Sequence, residues 1–366
     1  MRHLWQLVAL GGLLIVQGCA GLSSEPPLTL EDRMRAIGLL EQARVRMASG
    51  NRIIARGHLH EAIVLSTQGK WTDLIADGHF MLGELWEQEG NLNGAAEAYA
   101  SAYAASRQIN DRARGIRILS ALGNLFVDLG AYDRALEASR EVLKLTSDVQ
   151  DSRSKSTAFN IMGDVHRFRG QYQAALEAYS RSLQLAREAG MKGEAAIVLK
   201  NMGYVSRRMG KLAEAQGLYR EALALAREAG EEKTVLEALN HLAALLNERK
   251  LYAQALPLAK EAEEISRRGK YLRQLAEANH NLGVAQWQSG NREEGKQRLV
   301  EATRLGTQVN DRYLVALSKL ALGTLALESG DRPTARVALE DSLRIFRELQ
   351  LSVEASQADA LLKGLR

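Results

Sequence analysis

Met162–Tyr179 reads MGDVHRFRGQYQAALEAY, and the same grammar stands forty residues earlier as LGNLFVDLGAYDRALEAS (Leu122–Ser139) and forty later as MGYVSRRMGKLAEAQGLY (Met202–Tyr219). Small residues keep that interval over most of the chain, at Gly83, Gly123, Gly163, Gly203, Ala243, Gly283 and Gly323. In step with them run Gly90, Gly130, Gly170, Gly210, Lys250, Gly290 and Gly330, and also Ala95, Ala135, Ala175, Ala215, Ala255, Gly295 and Ala335. Three features locked to one period imply a stack of like units, each touching chiefly its neighbours.

Each unit reads as two helices. Ala158, Ile161, Met162, Val165 and Phe168 recur at helical intervals before Gly170, and Ala175, Leu176, Tyr179, Leu183 and Ala186 do so between Tyr172 and Ala189. Gly170 suits the residue just past a helix end, where a left-handed backbone is needed. Units join the same way: at Asn110-Asp111, Gly190-Met191, Gly230-Glu231 and Asn310-Asp311 a residue tolerant of positive φ ends the second helix. In three of these an acidic residue follows where capping and the helix dipole favour it. Pro333 fits the first turn of the helix opening after Gly330. A glycine inside a helix costs about 1 kcal/mol relative to alanine, so the comb at Gly163 predicts a close helix crossing. The small residue twelve positions on is then the opposing half of the contact, with Trp86, Phe126, Tyr99, Tyr179 and Tyr219 filling the space beside it.

Leu82-Gly83, Trp86, Ala95, Tyr99 and Ala102, with Met162-Gly163, Ala175 and Tyr179 and Met202-Gly203, Ala215, Tyr219 and Ala222, resemble the tetratricopeptide repeat. The resemblance spans roughly residues 72–350 and departs from the common thirty-four-residue form by its forty-residue period and its lack of a closing proline. It implies an all-α, right-handed superhelical solenoid. Extending the frame backwards through Ala43, Gly50 and Ala55 makes residues 30–70 a degenerate first unit. Forwards, Ser352–Arg366 has the phase of one more first helix, with Val353, Ala360, Leu361 and Leu365 apolar and Glu354, Gln357, Asp359 and Lys363 polar. The expectation is about eight helix-turn-helix repeats plus a C-terminal capping helix, one domain over 30–366 without a linker. The weakest pair is that at Ala243, which lacks both glycines and carries Pro257.

The formal net charge of +4 is too slight to argue for nucleic acid or a membrane surface. Locally, Arg153–Lys211 holds eleven Lys or Arg against Asp164, Glu177, Glu188 and Glu194, so the middle of the array is basic. Motifs for phosphate cradling, a nucleophile elbow, a zinc protease or paired cysteines are missing from the sequence. His58 and His60 diverge by about 200° on a helix and cannot share an ion with Glu61. No enzyme activity, cofactor, metal or small-molecule substrate is expected.

The first residues have another layout. Leu4–Val16 is an apolar run without acid or base, followed by Val16-Gln17-Gly18-Cys19. This is the plan of a secretory signal, and it resembles the bacterial lipobox, which implies removal of Met1–Gly18 and lipidation of Cys19, the chain's sole cysteine. Gln17 is a less usual occupant of its place. A run of thirteen residues, Gln6 among them, is short for a span, which takes about 20. Ala20 is not the aspartate that retains such proteins at the inner membrane, so the expected location is the outer membrane, facing the periplasm. Residues 19–29, with Ser23, Ser24, Pro26 and Pro27, read as a tether.

In the family, one face of each first helix lines the concave side, which here implies a groove bearing Asn124, Asn160, Arg167, Lys200, Tyr204, Arg207, Arg208, Asn240, Asn247, His280 and Trp287. Asn both gives and accepts hydrogen bonds, as an extended segment requires, and Arg167, Lys200, Arg207 and Arg208 suit an acidic or carboxylate-bearing guest. Trp287 and Phe80 are either groove anchors or packing against the next repeat. Three readings stay open: an anchored scaffold for assembling an envelope, pilus or secretion machine; an adaptor for cell-wall or exported-polysaccharide enzymes; and, if the lipobox is accidental, a cytosolic peptide-responsive regulator.

Overall fold

A computed structural model of the chain describes residues 28–365; Met1–Gly18, Cys19 and nearly all of the expected tether lie outside the described residues. All regular elements among the described residues are α-helices, arranged as eight consecutive pairs and a last helix. The pairs are α1 (Leu30–Ala48) with α2 (Arg52–Gln68), α3 (Thr72–Gln88) with α4 (Leu92–Gln108), α5 (Arg112–Asp128) with α6 (Tyr132–Leu145), and α7 (Ser152–Phe168) with α8 (Tyr172–Glu188). There follow α9 (Lys192–Arg208) with α10 (Leu212–Ala229), α11 (Glu232–Glu248) with α12 (Tyr252–Gly269), α13 (Leu272–Gln288) with α14 (Arg292–Gln308), α15 (Arg312–Glu328) with α16 (Arg332–Glu348), and α17 (Ser352–Lys363). Among the described residues no helix is long and apolar enough to cross a membrane.

The period is set by turns. From Gly50 to Gln350 a left-handed residue stands at every twentieth position except 150, and nine of these residues are glycines. At Gly170 the amide donates to Arg167 O at 3.0 Å and the next amide, of Gln171, to His166 O at 2.9 Å, the double closure that a left-handed residue allows. Asp111, Asp311 and Asp331 then cap the following helices through Arg114, Leu314 and Thr334 amides, and Pro333 sits in the first turn of α16. Position 150 is skipped because α6 stops early. The buried Thr146 hydroxyl donates to Val142 O at 2.8 Å, Ser147 to Lys144 O, and Asp148 pairs with Arg112. Short polar side chains that take up backbone groups in this way end helices.

The glycine comb has a sharper cause than a bare helix crossing. A Cβ on Gly83, Gly163 or Gly203 falls within 2.5–2.7 Å of the ring of Tyr99, Tyr179 or Tyr219, sixteen residues on; at Gly283 and Gly323 the intruder is Leu299 or Leu339 at 2.6 Å. Position 243 escapes because its counterpart is Ala259, so a methyl fits. Backbones also meet as expected where Gly283 crosses Gly295: a Cβ on Gly283 lies 2.9 Å from Gly295 O, and one on Gly295 lies 2.7 Å from Trp287 N and 2.8 Å from Gly283 O. The alanines of the third comb are fully buried.

The helices form two compact units, one ending at Ala189 (α1–α8) and one beginning at Gly190 (α9–α17). Within each, first helices also touch the next first helix: α1 with α3 and α5 with α7, then α9, α11, α13 and α15 in succession. This puts the first helices on the inner side of each unit.

Candidate functional site

In the first unit, the inner face holds a concavity of about 600 Å³ walled by Phe80, Glu84, Glu87, Tyr99 and Asn124. Phe80 and Tyr99 rings lie 5.4 Å apart, and Arg117 stands 4.5 Å over Phe80. Tyr99 Oη donates to Glu87 Oε2 at 2.9 Å. Burial pushes the Glu84 carboxyl above the usual range, Arg117 draws it back, and Glu87 raises it again. Asn124 is exposed at the rim. Glu84 and Glu87 sit at the same helical offsets as Asn124 and Arg167, so the repeat frame held the signal for them.

Further along the same unit, Asn160, Asp164, Arg167 and Tyr179 form one network. Arg167 donates to Asp164 Oδ1 at 2.8 Å and to Tyr179 Oη at 3.2 Å, Tyr179 donates to Asp164 at 2.8 Å, and Asn160 Nδ2 reaches Asp164 at 3.4 Å.

In the second unit the polar row ties each repeat to the next. Lys200 Nζ donates to Glu237 at 2.5 Å, Arg207 Nε to Glu248 at 2.6 Å, and Asn240 Nδ2 to Gln274 O and Glu277 at 3.1 and 3.2 Å. Asn247 Nδ2 donates to Asn281 O at 2.9 Å, His280 Nδ1 and Ser318 Oγ are 3.0 Å apart, and Trp287 Nε1 donates to Glu328 at 3.2 Å. Lys200, Arg207 and Arg167 therefore serve the protein's own carboxylates and are not open donors awaiting an acidic guest. Trp287 is 8% exposed and packs against Leu299 and Leu325, while Phe80, as little exposed, packs in the core of the first unit and still walls the concavity with one side of its ring.

The electrostatics follow. Burial pushes Glu237 up, but Lys200 outweighs it and holds the carboxyl below its ordinary value. Glu277 lacks so close a cation; burial, with Asp311 and Glu237 nearby, pushes it up to about 7 against the pull of Arg273. His280 is pushed down to about 4, chiefly by burial and then by the Arg207 charge. Arg208 is exposed yet lies 3.7 Å from Glu354 on α17, and Tyr313 on α15 feels Glu354, Tyr204, Arg207 and Arg208 together. Glu354 and Tyr313 escape a reading by offset, because the helices that bring them here are far apart in the chain. The C-terminal segment turns only partly as expected: Leu365, just past the capping helix, is buried, but Ala355 and Ala358 fill the packing side, Val353 and Ala360 face out, and Glu354 faces in. Among the described residues no group of three His, Cys, Asp or Glu is placed to hold a metal ion.

Comparison with known proteins bears on the fold. Residues 40–108, 154–228 and 194–268 match models of the tetratricopeptide repeat, and residues 116–163 match the model of anaphase-promoting complex subunit 5. No curated protein matches the sequence. Among solved structures, a Rap protein complexed with competence and sporulation factor superposes with a TM-score of 0.63 at 15% identity, over 94% of this chain and 88% of that one. A signal transduction ATPase with a tetratricopeptide repeat sensor, from Pyrococcus horikoshii, gives 0.63 at 16% identity over 92% of this chain and 50% of that one. BtubC from P. vanneervenii gives 0.53 at 20% identity over 60% and 92%. With helix pairs, glycine comb and buried alanines in agreement, the chain is built of tetratricopeptide repeats.

Proposed function

We propose that this chain is a lipid-anchored interaction scaffold of a bacterial envelope, mooring partner proteins at the outer membrane through Cys19, on the periplasmic side, for assembly of an envelope, pilus or secretion machine. The first-helix face of the first unit is the binding surface. The observation that carries this reading is the concavity at Phe80, Tyr99 and Glu84: an aromatic wall beside a half-buried carboxylate that makes no direct ion pair among the described residues. Such a carboxylate gains most from a cation brought by a guest, so the favoured partner segment here carries Lys or Arg. The use of this fold by a Rap protein to hold competence and sporulation factor supports the same role.

Two experiments test it. Palmitate labelling of the full chain in a bacterial host is expected to disappear in Cys19→Ala; label that persists removes the anchor. Cross-linking and affinity purification of the lipidated protein should recover a partner that Glu84→Lys with Asn124→Ala loses, while helical content and melting stay at parental values. Undiminished recovery moves the binding surface elsewhere.

A further inference from the structure

α17 packs on α16 through Ala355 and Ala358, which with Leu365 just past the helix join Leu339, Leu343 and Phe346 in one buried cluster. That core does not require Glu354 to be buried, since its neighbour Val353 is 74% exposed. Nevertheless the Glu354 side chain retains 14% of its exposure and lies 3.7 Å from a guanidinium nitrogen of Arg208, the last residue of α9, with seven helices between them in the chain. Tyr204, Arg207 and Tyr313 share the neighbourhood. A carboxylate from the far end of the second unit thus sits among two guanidinium groups and two phenols on its inner face.

We propose that α17 is a built-in occupant of this face: Glu354 holds the position that the carboxylate of an acidic partner segment takes, and the two compete for Arg208. The contact is suited to displacement. Arg208 keeps 44% of its side-chain exposure, and an ion pair with one partner so open to water shifts an equilibrium by only a few-fold. α17 is 12 residues long, has no side-chain cap at its start, and packs chiefly on one neighbour, the profile of an element that opens locally. This goes beyond the anchored-scaffold reading and uses neither Cys19 nor the Glu84 concavity, so the two stand or fall separately.

The test uses the full chain. Hydrogen exchange across residues 352–363 should quicken about two- to five-fold in Arg208→Gln and in Glu354→Gln, and return toward the parental rate in the charge-swapped Arg208→Glu, Glu354→Arg double variant. A fluorescein-labelled hexaglutamate peptide should bind Glu354→Gln several-fold more tightly than the parent, show no such gain with Arg208→Gln added, and quicken α17 exchange in the parent. The proposal fails if Glu354→Gln leaves both exchange and peptide affinity unchanged. It fails equally if exchange responds while affinity does not, or if the peptide slows α17 exchange.

Discussion

A side chain at position 163 has no room: its Cβ would lie 2.5 Å from the fully buried Tyr179 ring. Gly163→Leu should therefore cost at least about 2 kcal/mol, read as a melting temperature about 5 °C lower. Ala243→Gly is the control, destabilising by only about 0.5–1 kcal/mol through helix propensity. Glu277 and His280 make opposed contributions to pH dependence. With Glu277 raised from 4.5 to about 7, its support for the fold is full below pH 4.5 and is lost as pH rises through 7. With His280 lowered from 6.5 to about 4, its support is full above pH 6.5 and is lost as pH falls toward 4. Urea titrations should show Glu277→Gln more stable than the parent at pH 8, by about 1–2 kcal/mol after solvent screening, with the advantage gone near pH 4.5. His280→Gln should instead steepen the loss of stability between pH 4.5 and 7. Burial set by the next repeat causes both shifts, so neither was legible at the residue itself.

At the scale of the element, the turns were legible because a left-handed residue is a local demand. Where glycine or asparagine meets it, sequence announces the helix end; Lys70, Lys250, Lys270 and Gln350 meet it at a conformational cost and are silent. Lys270→Gly should stabilise by about 1 kcal/mol and raise the thermal midpoint, while Gly170→Ala lowers it by a similar amount. Asn247→Ala removes the bond to Asn281 O that joins α11 to α13 and should cost about 1 kcal/mol. The early end of α6 was not foreseen, because Thr146 becomes a helix stop only when burial turns its hydroxyl onto Val142. The facing of α17 was misleading for a related reason: a terminal helix has one packing side, and its neighbour chooses which residues fill it.

For the whole molecule, stacking makes stability a sum of neighbouring terms, and a lesion stays near its origin. Gly83→Leu should lower the denaturant midpoint reported by Trp86 as sole tryptophan and leave that reported by Trp287 near its parental value; a common shift in both would mean that the chain unfolds as one cooperative block. The amino-acid sequence alone determined the forty-residue period, the paired helices and the small buried positions, since these depend on helix length, turn chemistry and the space beside one tyrosine or leucine. Only tertiary structure decided what the inner row touches. Whether Lys200 meets Glu237, Trp287 meets Glu328, or Arg208 meets Glu354 depends on how successive pairs rotate and translate along the stack, and small changes in that geometry accumulate over residues that share no local contact.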